Sequence, residues 1–115
     1  MKNRNWVYIS GPISKDPDYM DKFIRAEQEI KDLFGQDVGI INPARIFDSM
    51  PEDMTHEEYM YLSFRLLDMP DVNMIYMLEG WEESSGACQE YGYAMRMSDY
   101  GDDMVIIRQK RKEMA

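Results

Sequence analysis

The sequence predicts an α/β fold: a parallel sheet of four to five strands held between layers of helices. Three observations lead there. Short apolar runs rich in Val, Ile and Tyr alternate with longer runs in which apolar residues recur at helical spacing, in the order β-α-β-α-β-α-β. The third short run, VNMIYML at 72–78, is almost continuously apolar, as a central parallel strand buried on both faces must be. The short runs close on turn-forming residues, Gly11-Pro12, Asn42-Pro43 and Gly80-Trp81. Strands alternating with helices imply right-handed crossovers and helices on both faces of the sheet, a three-layer α-β-α sandwich of the flavodoxin-like or Rossmann-like kind. The G-x-G-x-x-G fingerprint is absent after the first strand, which disfavours a standard NAD fold.

The elements follow in order. Residues 5–10, NWVYIS, read as the first strand. Asp16 reads as a helix N-cap with Pro17 at the first helical position. Met20, Phe23, Ile24, Ile30, Leu33 and Phe34 then recur at helical spacing up to Gly35, a C-terminal stop. Residues 38–41 make a second short strand. Residues 44–54 show no period and read as a loop with room for a short helical turn. Thr55-His56-Glu57-Glu58 is a capping-box pattern that opens a helix through about Asp68, with Tyr59, Leu62, Leu66 and Leu67 as its buried side and His56 exposed in its first turn. The third strand leads through Ser84, Ser85 and Gly86 into a helix to about Asp99, and residues 104–107 form the fourth strand.

With 115 residues the chain has room for one domain, expected over residues 1–108, followed by a basic tail at 109–115. A net charge of −9 argues against binding a nucleic-acid backbone, while a small phosphorylated ligand is still accessible to local backbone N–H groups. The densest basic stretch, residues 108–112, reads as solvated. Cys88 is the one cysteine and His56 the one histidine, so an intramolecular disulfide is impossible and a zinc site is nearly excluded. Cys88 reads as a small residue packed inside a helix. No apolar run is long enough to span a bilayer and no signal peptide is evident, so a reducing cytoplasm fits best. No metal or organic cofactor is expected.

A parallel sheet gathers the carboxyl ends of its strands on one edge, where ligands bind. Tyr8, Ser10 and the loop of Gly11, Pro12, Ile13 and Ser14 come to that edge from the first strand, Asn42 from the second, and the 79–85 loop from the third. Glu90 follows within about the first turn of the last helix, where the helix dipole favours its ionised form. An ionised carboxylate there is able to attack a sugar carbon, or else only to complement the dipole. Tyr8 lies on the opposite face of its strand from Val7 and Ile9; it is either a satisfied core tyrosine or the group that orients Glu90. Ser84 and Ser85 either cap the helix or, with the Gly86 amide, donate to an anion. Trp81 either stacks on a nucleobase or packs over the sheet edge.

Taken together, Tyr8-Ile9-Ser10-Gly11-Pro12-Ile13, Ile41-Asn42-Pro43-Ala44, Asp71 through Gly80-Trp81-Glu82, and Ser84-Ser85-Gly86-Ala87 with Glu90 and Ala94 resemble the nucleoside 2-deoxyribosyltransferase-like superfamily, and within it the small proteins of the DUF4406 type. The resemblance covers nearly the whole chain up to Ile107. It implies a retaining N-glycosidase or deoxyribosyltransferase in which Glu90 attacks C1′ of a nucleoside or nucleotide, Tyr8 orients it, and water or a second base resolves the glycosyl-enzyme ester. Ser84 stands where deoxyribosyltransferases tend to place an acid for the sugar 5′-hydroxyl. A serine there is more similar to the related nucleoside 5′-monophosphate N-glycosidases and implies a 5′-phosphate, with Gly11 and Ser14 lining its pocket and Asn42 and Trp81 near the base or sugar. The resemblance also implies a homodimer or larger assembly, and the first and third helices have apolar residues to spare for one. One position departs from the pattern. The family commonly carries an aspartate eight residues before the position of Asp71; here it is Ser63. That departure sustains an alternative, a non-catalytic nucleotide-binding or sensing module on the same fold. A partner-binding domain with no small ligand is the third reading.

Overall fold

The computed structural model describes residues 5–13, 16–99 and 104–110. Four strands, β1 (Trp6–Ser10), β2 (Gly39–Ile41), β3 (Val72–Met77) and β4 (Val105–Arg108), form one all-parallel sheet in the order β2-β1-β3-β4. Its helices are α1 (Tyr19–Phe34), α2 (Pro43–Phe47), α3 (His56–Leu67) and α4 (Ser85–Asp99). The chain leaves β1 for β2 on one side and returns past β1 to reach β3 on the other. The strand order therefore reverses between β1 and β3, the crevice position for ligands in open α/β sheets.

The alternation of side chains along β1 separates two cores. Val7 and Ile9, with Tyr76 and Leu78, pack against Phe23, Ala26 and Ile30 of α1. Tyr8, with Ile75 and Met77, faces Leu67 of α3 and Ala87 and Ala94 of α4. The predicted three layers are thus present, with β1 and β3 central and β2 and β4 at the edges. Gly39 is needed in β2 because the Trp6 indole lies over it; a Cβ there would come within 2.2 Å of the ring.

Several boundaries and faces differ from the sequence reading. The first helix begins at Tyr19, with Asp18 in the N-cap position; Asp16 instead accepts from the Asp18 N–H through Oδ1 at 2.9 Å and from the Tyr19 N–H through its carbonyl at 3.2 Å. Gly35 does stop that helix, at a φ of 100° and with its N–H on the Lys31 carbonyl. Ile24 and Leu33 are exposed, because the inward stripe of α1 runs through Phe23, Ala26 and Ile30. Pro43–Phe47 is a short helix, so α2 starts one residue before the segment read as loop. The capping box of α3 is formed, Thr55 Oγ1 accepting from the Glu58 N–H and Glu58 from the Thr55 N–H. The buried face of α3 is Met60, Ser63 and Leu67; Tyr59, Leu62 and Leu66 are half-buried, since the helix turns its Ser63 side to the sheet edge. Cys88 is exposed, with its Sγ 3.3 Å from the Glu82 carbonyl.

The fold extends past residue 108. The Gln109 N–H bonds the Met77 carbonyl at 2.8 Å, its Oε1 accepts from the Glu79 N–H, and its Nε2 donates to Glu29, which also accepts from the Tyr76 hydroxyl. Residues 111–115 of the expected tail lie outside the described residues. Among those described, no helix is long and apolar enough to cross a membrane.

Candidate functional site

Glu90 projects from the second turn of α4, as its sixth residue, and not from the first turn as expected. It is 7 % exposed. Tyr8 on β1 donates its hydroxyl to Glu90 Oε2, and Ser10, two residues along the same strand face, donates to Oε1 at 2.7 Å. Ser63 of α3, also buried, lines the same cavity, and its hydroxyl lowers the pKa of both Glu90 and Tyr8. Two elements, β1 and α3, therefore bring hydroxyls to a carboxylate carried by a third, α4.

The electrostatics differ from a dipole-stabilised carboxylate. Burial raises the Glu90 pKa, and the hydrogen bonds of Ser10, Tyr8 and Ser63 oppose that rise without cancelling it. The expected helix-dipole effect falls off beyond the first turn, so desolvation decides. Tyr8 is held well above the ordinary tyrosine range, first by burial and then by the neighbouring Glu90 charge, so it is a permanent hydrogen-bond donor.

The pair opens on a cavity of about 390 Å³ at the carboxyl edge of the sheet. Tyr8, Ser63 and Glu90 line one part of it; Gly11, Ser84, Gly86 and Ala87 line another; Phe47, Tyr59 and Met60 supply apolar walls. Gly11 fits because the backbone passes Leu78 closely: a Cβ would stand 2.9 Å from Leu78 Cβ. Ile13 also lines the cavity. Ser84 is the N-cap of α4, its Oγ accepting from the Ala87 N–H at 3.2 Å, and its hydroxyl hydrogen is left to donate toward the cavity.

The other expected contacts go elsewhere. Asn42 caps α2, its Oδ1 accepting from the Ala44 and Arg45 N–H groups, while its Nδ2 donates to Glu27 at 2.9 Å. Its polar atoms are thereby used in place of the expected ligand contact. Trp81 sits in a short 3-10 turn and stacks on Tyr91, ring centroids 4.6 Å apart, so the indole packs over the sheet edge. Ser85 is exposed and accepts from Gln89. Pro12 faces a separate depression beside Lys22, Arg25 and Gln109. Ser14 lies outside the described residues.

Ser10, which holds Glu90, and His56 were not among the expected site residues. Ser10 carried a readable signal: it stands two residues after Tyr8 on a strand and must share its face. His56, placed only as an exposed first-turn residue, lines the cavity mouth. Nothing in the local sequence pairs it with Gly86 and Gln89, which it meets only through the packing of α3 on α4.

No curated protein and no solved structure matches the chain. A family match does, over residues 5–99, spanning both Tyr8 and Glu90, to a domain of unknown function. By that match the chain belongs to the DUF4406 family.

Proposed function

We propose that the protein cleaves or transfers the N-glycosidic bond of a nucleoside or nucleoside 5′-monophosphate, with Glu90 as nucleophile. The observation that carries this reading is the buried Glu90 carboxylate, held through both oxygens by Tyr8 and Ser10 and facing a cavity of about 390 Å³. A structural glutamate has no need of such a setting, and a displacement at C1′ does: its nucleophile must be fixed in aim and stripped of water. The resemblance of the Tyr8 and Ser84-to-Glu90 motifs to the nucleoside 2-deoxyribosyltransferase-like superfamily supports the same chemistry.

In the first step a Glu90 oxygen forms a bond to C1′ as the C1′–N bond breaks, and the electron pair leaves with the base. In the second, water or another base attacks C1′ from the opposite face, sheds the proton that balances the one taken up by the departed base, and returns the carboxylate, giving net retention. Tyr8 and Ser10 keep the carboxylate aimed through both steps. The Ser84 hydroxyl, with Gly11 and Gly86 beside it in the cavity lining, favours a 5′-phosphate over a bare 5′-hydroxyl. The exposure of Ile24 and Leu33 on α1 and Met95 on α4 suits a homodimer or larger assembly.

Incubation with nucleosides and nucleoside 5′-monophosphates, with and without free base, tests the reading. Released or exchanged base that disappears in Glu90→Ala is expected. Tight binding without turnover, unchanged by Glu90→Ala, would refute it. That result would favour a non-catalytic nucleotide sensor, a reading supported by Ser63, a neutral hydroxyl where the resembling enzymes commonly carry a carboxylate.

A further inference from the structure

We infer that His56 determines whether this site takes a phosphorylated sugar, acting as the one basic side chain that lines the cavity among the described residues. The inference rests on the glycosidase reading for the identity of the ligand and goes beyond it in naming the residue that selects it. The argument is one of charge. The protein carries a net −9, and the cavity contains a buried carboxylate, Glu90. A phosphate dianion entering such a space is repelled unless hydrogen-bond donors face it. Among the described residues no lysine or arginine lines the cavity; His56 does.

Its placement suits the task. The imidazole stands beside Gly86, where a Cβ would lie 3.8 Å from His56 Cε1. Gly86 is four residues before Glu90 on α4, about 6 Å along the axis, close to the span from the phosphate of a pentose 5-phosphate to its C1. The ring is positioned from α4: Gln89 Nε2 lies 3.1 Å from His56 Nε2 and also donates to Ser85 Oγ at 3.3 Å. With that amide donating, the ring accepts at Nε2 and presents Nδ1–H as a donor. Gln89 is thus a positioning residue and His56 the contact.

The test uses ligands without a base, so that it is independent of turnover. Ribose 5-phosphate and ribose are titrated by calorimetry into the full chain and into His56→Ala, His56→Lys and Gln89→Ala. The wild type is expected to prefer the phosphorylated sugar by about tenfold or more, as one charge-assisted contact allows. His56→Ala should lower that ratio by about fivefold or more, His56→Lys should restore most of it, and Gln89→Ala should fall between. Circular dichroism confirms that each variant is folded. A wild type without phosphate preference, or a His56→Ala variant that keeps it, overturns the inference. The two readings fail separately: phosphate selection through His56 with no base released from any nucleotide sinks the glycosidase alone, and Glu90-dependent base release with an unchanged ratio in His56→Ala sinks this inference alone.

Discussion

Replacing Glu90 by glutamine should stabilise the protein at alkaline pH while removing its chemistry. Desolvating a carboxylate costs several kcal/mol. The hydroxyls of Tyr8, Ser10 and Ser63 return at most about 1.5–3 kcal/mol each, and the raised Glu90 pKa shows that the sum still disfavours the charge. Glutamine keeps the shape. Its oxygen accepts as before, and a hydroxyl facing its amide nitrogen rotates to accept instead, so the hydrogen bonds survive without the charge. Because the folded-state pKa lies above the unfolded one, the wild-type Glu90 contribution is fully present below the unfolded value, near about 4.3, and is lost as pH rises through the folded value. The difference between Glu90→Gln and wild type is therefore small at pH 4.5 and grows toward pH 8, to about 1–2 kcal/mol. With an unfolding entropy of roughly 2.1 cal/mol/K per residue over 115 residues, that is a rise in Tm of about 4–8 °C. Thermal denaturation at the two pH values measures it. A glutamine variant less stable than wild type at pH 8, or a difference that does not change with pH, would refute this account of the site's electrostatics.

Tyr8→Phe and Ser10→Ala each remove a donor that lowers the Glu90 pKa, so the acidic limb of the base-release profile should move to higher pH in both; an unmoved limb means the hydroxyls do not govern the carboxylate. Gly39→Ala drives a Cβ into the Trp6 ring and should cost about 1–3 kcal/mol in a denaturant melt, and a neutral result would mean that the indole is free to swing away. Asn42→Ala should lower stability by about 1–2 kcal/mol through the lost α2 cap while leaving ribose 5-phosphate affinity unchanged, and a selective loss of affinity would return Asn42 to the binding site. Thr55→Ala should cost about 1 kcal/mol, read as a lower Tm, and a Tm equal to wild type would show that α3 is set by packing alone.

The fold was legible because it is written in period and punctuation. The alternation of strand and helix, the apolar run of β3 and the stops at Gly11-Pro12 and Gly35 survive any tertiary context. The strand face of Tyr8 and Ser10 and the helix position of Glu90 could likewise be placed on one sheet edge from topology alone. Ionisation could not: burial of Glu90 depends on how α3 and α4 close over it, and that outweighs a dipole argument drawn from chain position. Asn42 and Trp81 show the same limit from the other side. Both are residue types able to bind a ligand, and each met a nearer partner, the α2 amides for Asn42 and Tyr91 for Trp81. His56 was invisible for the opposite reason, since its neighbours lie 30 and 33 positions away and carry no shared pattern.

The five residues of β1 carry a further consequence. Val7 and Ile9 build the core with α1, and Tyr8 and Ser10 hold Glu90 on the opposite face. One deletion or insertion within the strand would exchange the two sets, sending polar hydroxyls into the α1 layer and aliphatic chains against a carboxylate. The core and the candidate site are thus encoded in the same register, so the chain has no frameshifted intermediate that keeps one while losing the other. Variation in this family should reach β1 by substitution, and length changes should collect in the loops that follow it.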